Sequence, residues 1–249
     1  IGALTARRVV ELGRYPYLDW TGRMRAHDDE VVQWAIQSVS AEHLASRESS
    51  SLSDGERQRF MIARALAQEP SVLLLDEPTA FLDVPSRVEV MGLLRRLARE
   101  EELAIVVSTH DLELALRMAD MLWLVTAERK VAVGTPEDLI LSGDIERAFQ
   151  SETIRFHPEQ RTFRLSAKTR GRAVVYGDGL HAVLAAAVLE REGYEVLADG
   201  EDALQVTIAR DNPRWNIAAH GSFHSGEDFQ SLADVLRTTS PRPENRARS

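Results

Sequence analysis

The chain has 249 residues, 44% of them hydrophobic and 28% charged, with 30 Lys and Arg against 39 Asp and Glu for a formal net charge of −9. That length supports one large domain or two modest ones with real cores, and the ordinary composition excludes wholesale disorder. The lack of any cysteine excludes a disulfide scaffold, a thiolate metal site and a Cys nucleophile, and the acidity argues against nucleic acid as a partner. The longest apolar run, Ala182 to Leu189, is too short to span a bilayer, and the first residues do not have the pattern of a secretory signal. Residue 1 is Ile, so the chain is expected to lack its natural beginning.

Thr5 is placed to cap a short helix through Leu12, which Gly13-Arg14-Tyr15-Pro16 should break. Asp28 opens a second helix with Val31, Ala35 and Val39 on one face. Ser53 and Glu56 have capping-box spacing, so a helix should start there and run to about Ala67, stopped by Pro70. Ser71 to Leu75 is a continuous apolar run too short for a helix, as expected of a strand buried on both faces. Leu103 to Val107 is a second such run, and the helical periodicity of Val84 to Glu101 joins the two as a βαβ unit. Met121–Thr126 and Lys130–Val133 read as a hairpin around Ala127-Glu128-Arg129. Thr135-Pro136 opens a further helix, with Pro at its first position.

The charge is uneven: residues 1–150 hold 17 basic and 25 acidic side chains, residues 151–249 hold 13 and 14. A seam at 151–168 reads as a linker or a first strand of a second unit. Beyond it, Ala173 to Gly179 followed by Leu180 to Glu192 reads as strand, Gly turn, helix. Tyr194–Leu197 and Gln205–Ala209 read as strands and Phe229–Leu236 as a helix, a small α/β appendage like half a Rossmann-type unit. Its Gly177-Asp178-Gly179 has neither the third glycine nor the acidic partner of a dinucleotide site. His220 and His224 have i,i+4 spacing, but Gly221 and Gly226 oppose a helix there and no third ligand is evident, so no metal site is expected. Residues 239–249 read as a disordered tail.

Three segments carry chemistry. Leu52-Ser53-Asp54-Gly55-Glu56-Arg57-Gln58 puts a capped helix N-terminus beside a glycine, where backbone can approach an anion. Leu73-Leu74-Leu75-Asp76-Glu77-Pro78 puts two carboxylates at the tip of a strand, where open α/β sheets place ligands. Asp there is suited to Mg²⁺ on a nucleotide, and the following Glu to orienting or deprotonating water. His110, in Ser108-Thr109-His110-Asp111, ends the next strand; if the strands are parallel neighbours, it shares an edge with Glu77 and its imidazole can hydrogen-bond phosphate or water.

The order Leu-Ser-x-Gly-Glu-x-Gln, strand-Asp-Glu-Pro-Thr, Leu82-Asp83 and Thr109-His110-Asp111 resembles the ATP-binding subunits of ABC transporters over residues 1 to about 150. Leu4-Thr5 with Val10 through Pro16, and Gly134-Thr135-Pro136, further resemble the branch serving iron–siderophore, haem and cobalamin importers. The resemblance implies a partial ABC-type ATPase cassette, with a helical subdomain and a mostly parallel sheet core. It implies that Ser53, Asp54, Gly55, Glu56 and Gln58 lie in the signature motif, with Asp76 holding Mg²⁺ through water. Glu77 would be the catalytic glutamate, Asp83 the D-loop aspartate and His110 the switch histidine.

It further implies ATP and Mg²⁺ as ligands and a head-to-tail homodimer in which one chain's signature completes the other's site. Transmembrane permease subunits, indirectly an extracytoplasmic solute-binding protein, and a peripheral place on the cytoplasmic face of the membrane complete the expectation. Tyr15-Pro16-Tyr17-Leu18-Asp19-Trp20 is then either the permease contact or a Pro turn packed by its own aromatics. Two departures stand out. Asp54 replaces the usual signature Gly, so its carboxylate must turn away or be neutralised. The loop Gly-x-x-x-x-Gly-Lys-Ser/Thr is absent from these residues, and truncation in mid-domain is the expected reason. A non-transport ABC ATPase and an inactive regulatory module are the alternative readings.

Overall fold

A computed structural model of the chain describes residues 4–126, 129–149, 151, 154–165, 169–200, 203–219 and 222–238. The expected hairpin tip at Ala127-Glu128, His220 and the tail 239–249 lie outside the described residues. Backbone contacts divide the chain into two compact units, residues 1–148 with 157–162 and residues 149–156 with 163–249.

In the first unit, α1 (Ala6–Glu11) starts where Thr5 Oγ1 accepts the Arg8 N–H at 3.3 Å. The expected break does not come at once; Leu12–Tyr17 tightens into a 3₁₀ segment that holds Pro16. Gly13 in this segment lies against the third helix, where a Cβ would sit 2.3 Å from the Arg64 carbonyl oxygen. Helix α2 (Ala26–Ser38) begins two residues before Asp28, because Asp28 serves at the third position of the first turn and takes the Arg25 N–H at 2.9 Å. Its buried face is Val31, Val32, Ala35 and Ile36, with Val39 buried just past its end.

Helix α3 (Asp54–Leu66) buries Phe60, Ile62, Ala63 and Leu66 against the same core. Strand β1 (Val72–Asp76), helix α4 (Val84–Glu100) and strand β2 (Ala104–Ser108) follow as expected, and the two strands pair in parallel from Val72↔Ala104 to Asp76↔Ser108. Burial of β1 on both faces is not observed. Leu73 is 4% exposed, but Val72 and Leu74 are 53% and 72% exposed. The reason is local: β1 has one hydrogen-bonded neighbour in the described sheet, and its Leu74 side has no covering layer.

Helix α5 (Leu112–Met118) leads to β3 (Leu122–Val125) and β4 (Val131–Gly134), an antiparallel pair. Helices α6 (Pro136–Leu141), capped by Thr135, and α7 (Asp144–Phe149) follow. Where a linker was one expectation, β5 (Ile154–His157) pairs with β6 (Thr162–Leu165).

The second unit contains β7 (Gly171–Tyr176), α8 (Gly179–Arg191), β8 (Tyr194–Leu197), β9 (Leu204–Ile208), β10 (Trp215–Ala219), β11 (Ser222–Gly226) and α9 (Phe229–Thr238). Its sheet order is β11-β10-β9-β7-β8, parallel between β7, β8 and β9 and antiparallel across β10 and β11. The half-Rossmann expectation therefore holds for β7, α8, β8 and the parallel β9, after which the Trp215–Gly226 hairpin continues the sheet antiparallel. Ala185, Val188 and Leu189 of α8 and Leu232, Ala233 and Leu236 of α9 share one core with Val206, Ile208, Trp215 and Ile217. The Trp215 indole N–H is satisfied by the Asp228 carbonyl at 2.8 Å. His224 lies on strand β11.

Candidate functional site

The parallel register of β1 and β2 brings Asp76 opposite Ser108, so both chains leave the sheet at one edge. The Ser108 hydroxyl donates to the Asp76 carboxylate. The Ser108 carbonyl takes the Glu77 N–H at 3.0 Å. Glu77 has a φ of 47°, a left-handed conformation that a non-glycine residue adopts at a cost of about 1 kcal/mol or more. The turn aims its carboxylate at His110, whose Nε2 lies 3.2 Å from Glu77 Oε1. The His110 side chain is 96% exposed and that of Glu77 31%, so the pair opens outward. Asp76, Glu77 and His110 are thus brought together, and Ser108, to which the sequence assigned no role, ties Asp76 to Glu77. The equal lengths and matched ends of the two apolar runs were the signal that would have found it.

A second group forms at the start of α3. Ser53 Oγ accepts the Glu56 N–H at 3.2 Å, and the Glu56 carboxylate accepts the Ser53 N–H at 2.7 Å. The Ser53 N–H holds the Glu56 carboxyl below its usual range, with Arg47 and His43 adding to the effect against the cost of burial. The Ser53 hydroxyl also bonds the Glu56 carboxylate, which leaves the first-turn N–H groups of Asp54 and Gly55 without a partner within the helix. Asp54, the departure from the usual signature, is neutralised by Arg57 Nη1 at 3.0 Å. Gln58 is half-buried in the second turn.

Gly55 faces α4: a Cβ there would be 2.9 Å from Ser86 Oγ. Asp83 caps α4 by accepting the Ser86 N–H at 3.0 Å, and the hydrogen bonds from Ser86 hold its carboxyl below the usual range. Two helix N-termini therefore meet beside a hollow of about 240 Å³ that Ser53, Gly55, Ser86 and Glu89 help to line. No hydrogen bond or ion pair among the described residues links this group to Asp76, Glu77 or His110. Arg87 bridges the two loops instead, donating to the Leu82 carbonyl at 2.8 Å and lying 3.7 Å from the Asp111 carboxylate.

The profile of the ABC transporter family matches residues 3–80. An uncharacterised ABC transporter ATP-binding protein of Methanocaldococcus jannaschii is 45% identical over 161 residues, 62% of this chain and 56% of that protein. The petrobactin import ATP-binding protein of Bacillus anthracis is 38% identical over 160 residues, 64% of this chain and 59% of that one. The chain therefore spans 56% and 59% of the lengths of these two relatives. Among solved structures, a transporter described as metal-chelate type, in an inward-facing conformation, matches with a TM-score of 0.55 and 28% identity, covering 66% of this chain and 65% of that one. The fold is that of part of an ABC-type ATPase cassette, and the family binds ATP.

Phosphate anions suit the first-turn N–H groups of Asp54 and Gly55. Among the described residues no group of three or more His, Asp or Glu side chains is placed to hold a metal by itself. Asp76, placed at the strand tip with its carboxylate bonded by the Ser108 hydroxyl, has the chemistry for Mg²⁺, which takes one or two carboxylates together with nucleotide phosphates and water. No helix among the described residues is long and apolar enough to cross a membrane.

Proposed function

We propose that this chain is the ATP-binding, ATP-hydrolysing subunit energising an ABC importer for iron–siderophore, haem or cobalamin-type solutes. The observation that carries the reading is the Glu77–His110 pair at 3.2 Å beside the Ser108-tied Asp76. Asp76 would hold Mg²⁺, which supplies charge neutralisation on the phosphates when bound. Glu77 is in position to accept a proton from water, and His110 to orient both Glu77 and the departing phosphate. No hydrogen bond or ion pair among the described residues joins the start of α3 to these carboxylates, which is consistent with Ser53 and Gly55 acting on the nucleotide of a second copy in a head-to-tail homodimer. Preorganised donors of this kind supply most of the catalytic effect in phosphoryl transfer.

Tyr15 is 71% exposed and Trp20 97%, which favours a contact surface over a turn packed by its own aromatics. It is our candidate for the contact with transmembrane permease subunits, which would place the protein peripherally on the cytoplasmic membrane face. An extracytoplasmic solute-binding protein would then be an indirect partner.

The test is ATP hydrolysis by a chimera that carries a related cassette's phosphate-loop segment ahead of residue 1, with and without Glu77→Gln. Turnover is expected to fall by ~100-fold or more while ATP affinity stays within about twofold, since the carboxylate acts in the transition state and not in binding. Equal turnover in the two proteins would sink the assignment.

A further inference from the structure

Helix α8 is apolar on both faces rather than amphipathic. From Gly179 to Leu189 it contains no Asp, Glu, Lys or Arg. One face, with Ala185, Val188 and Leu189, is buried in the core of the second unit. On the other, Leu180 is 68% exposed, Val183 66% and Leu184 40%, and Ala187 is exposed as well. The spacing i, i+3, i+4, i+7 makes these one stripe two turns long. An apolar helix face of this kind is normally covered.

The charges at its ends indicate by what. Arg191, at i+11 from Leu180, continues the line of the stripe; it is exposed and forms no ion pair among the described residues. At the opposite end Asp178 precedes the helix, makes no capping hydrogen bond to it, and is 69% exposed, with Arg210 Nε at 3.7 Å. A stripe ending in an anion at one end and a cation at the other matches a copy of itself laid antiparallel. In that arrangement Asp178 meets Arg191 of the second copy at both ends, Leu184 meets Ala187 across the two-fold axis, and the helix dipoles oppose. A parallel pairing would set like charges against each other, and a partner of uniform charge would match one end only.

We propose that α8 is a self-association surface, pairing antiparallel with α8 of a second copy of this chain. It goes beyond the nucleotide reading and does not depend on it. Two helical turns are less than the ~800 Å² per partner of a standard stable interface, so the pairing is weak by itself and gains from any second contact between the same two chains.

The chain has no cysteine, which makes site-specific capture unambiguous. Ala187→Cys in the full 249-residue chain, treated with a short bismaleimide, is expected to give a covalent dimer, whereas Gln230→Cys, exposed on α9, is expected to give at least ~5-fold less. Val183→Glu in the Ala187→Cys background should abolish capture without changing the circular dichroism, since Val183 is exposed. Asp178→Arg alone and Arg191→Glu alone should each lower the yield several-fold, and the two together should restore it, because the exchange rebuilds the pair in reverse. Three results overturn the proposal: no capture at Ala187, equal capture at Ala187 and Gln230, or a double exchange no better than its single variants. A monomeric chain in which Cys at 187 resists labelling also overturns it, since the stripe is then covered from within.

Discussion

Arg14 is 2% exposed, the least expected address for a guanidinium. Burial opposes its charge, yet hydrogen bonds and attraction from Glu69 and Asp28 keep it firmly protonated. Its Nε meets Asp28 at 2.9 Å, and its Nη1 meets the Ala67 carbonyl at 2.9 Å and Glu69 at 2.7 Å, while Tyr17 stacks 4.1 Å beneath the cation. Periodicity shows nothing of this, because the partners lie 14, 53 and 55 residues away; a Gly-Arg-x-Pro break reads equally well as solvated. Removing one member of a buried pair leaves the other charge stranded, so Arg14→Met is expected to cost about 3–5 kcal/mol. Adding Asp28→Asn should recover part of that loss, which urea unfolding of both variants measures.

The same carboxyl sets a pH dependence. The Arg25 N–H first, and then Arg14, against the cost of burial, hold Asp28 below its ordinary 3.8. Its contribution to stability is therefore full above about pH 4 and is lost as the pH falls through the lower folded value. Between pH 6 and pH 3, Asp28→Asn should lose less stability than the parent chain; an identical loss would remove Asp28 from the account.

Among the elements, those with caps written locally were the most legible. Ser53 with Glu56 fixes the start of α3, Asp83 that of α4 and Thr135-Pro136 that of α6, because each cap is closed within four residues. The β10–β11 hairpin was missed, since a strand lacking flanking polar alternation, such as Trp215-Asn216-Ile217-Ala218-Ala219, gives only a weak period of two. The candidate site divides in the same way. Its residue types were readable in the motifs, but the left-handed Glu77 and the Ser108 bridge depend on strand register, which a single strand does not contain. Gly13 shows what helix packing adds. It looks like a breaker, and it is a contact, with no space for a methyl before the Arg64 carbonyl. Gly13→Ala should force the 3₁₀ segment and α3 apart and lower the unfolding free energy by about 1–3 kcal/mol, the range for overpacking. A gain in stability, as expected for an ordinary helical Gly→Ala change, would refute the packing role.

At the scale of the whole molecule, two properties of these 249 residues meet. Their sequence has no Gly-x-x-x-x-Gly-Lys-Ser/Thr, so no loop here cradles the β- and γ-phosphates that Asp76, Glu77 and His110 would work beside. The purified chain alone is therefore expected to release no phosphate from ATP in a Mg-dependent manner, whatever the quality of its carboxylate edge. It is also expected to be sticky. Leu74 is 72% exposed on β1, and the hairpin presents Trp123 and Val125 opposite Val133 and Val131, all between 54% and 69% exposed. Parallel strands are found with both faces covered, and apolar patches of this size mark surfaces that bind something. Anilinonaphthalene sulfonate fluorescence should rise strongly on mixing with the folded chain. Leu74→Thr combined with Trp123→Thr should cut that rise by more than half while the helical signal is kept, because neither side chain contributes to a core. If the dye signal is absent, or survives both substitutions, these sheet faces are not the exposed apolar surface, and the phosphate-release result then stands as the sole test at this scale.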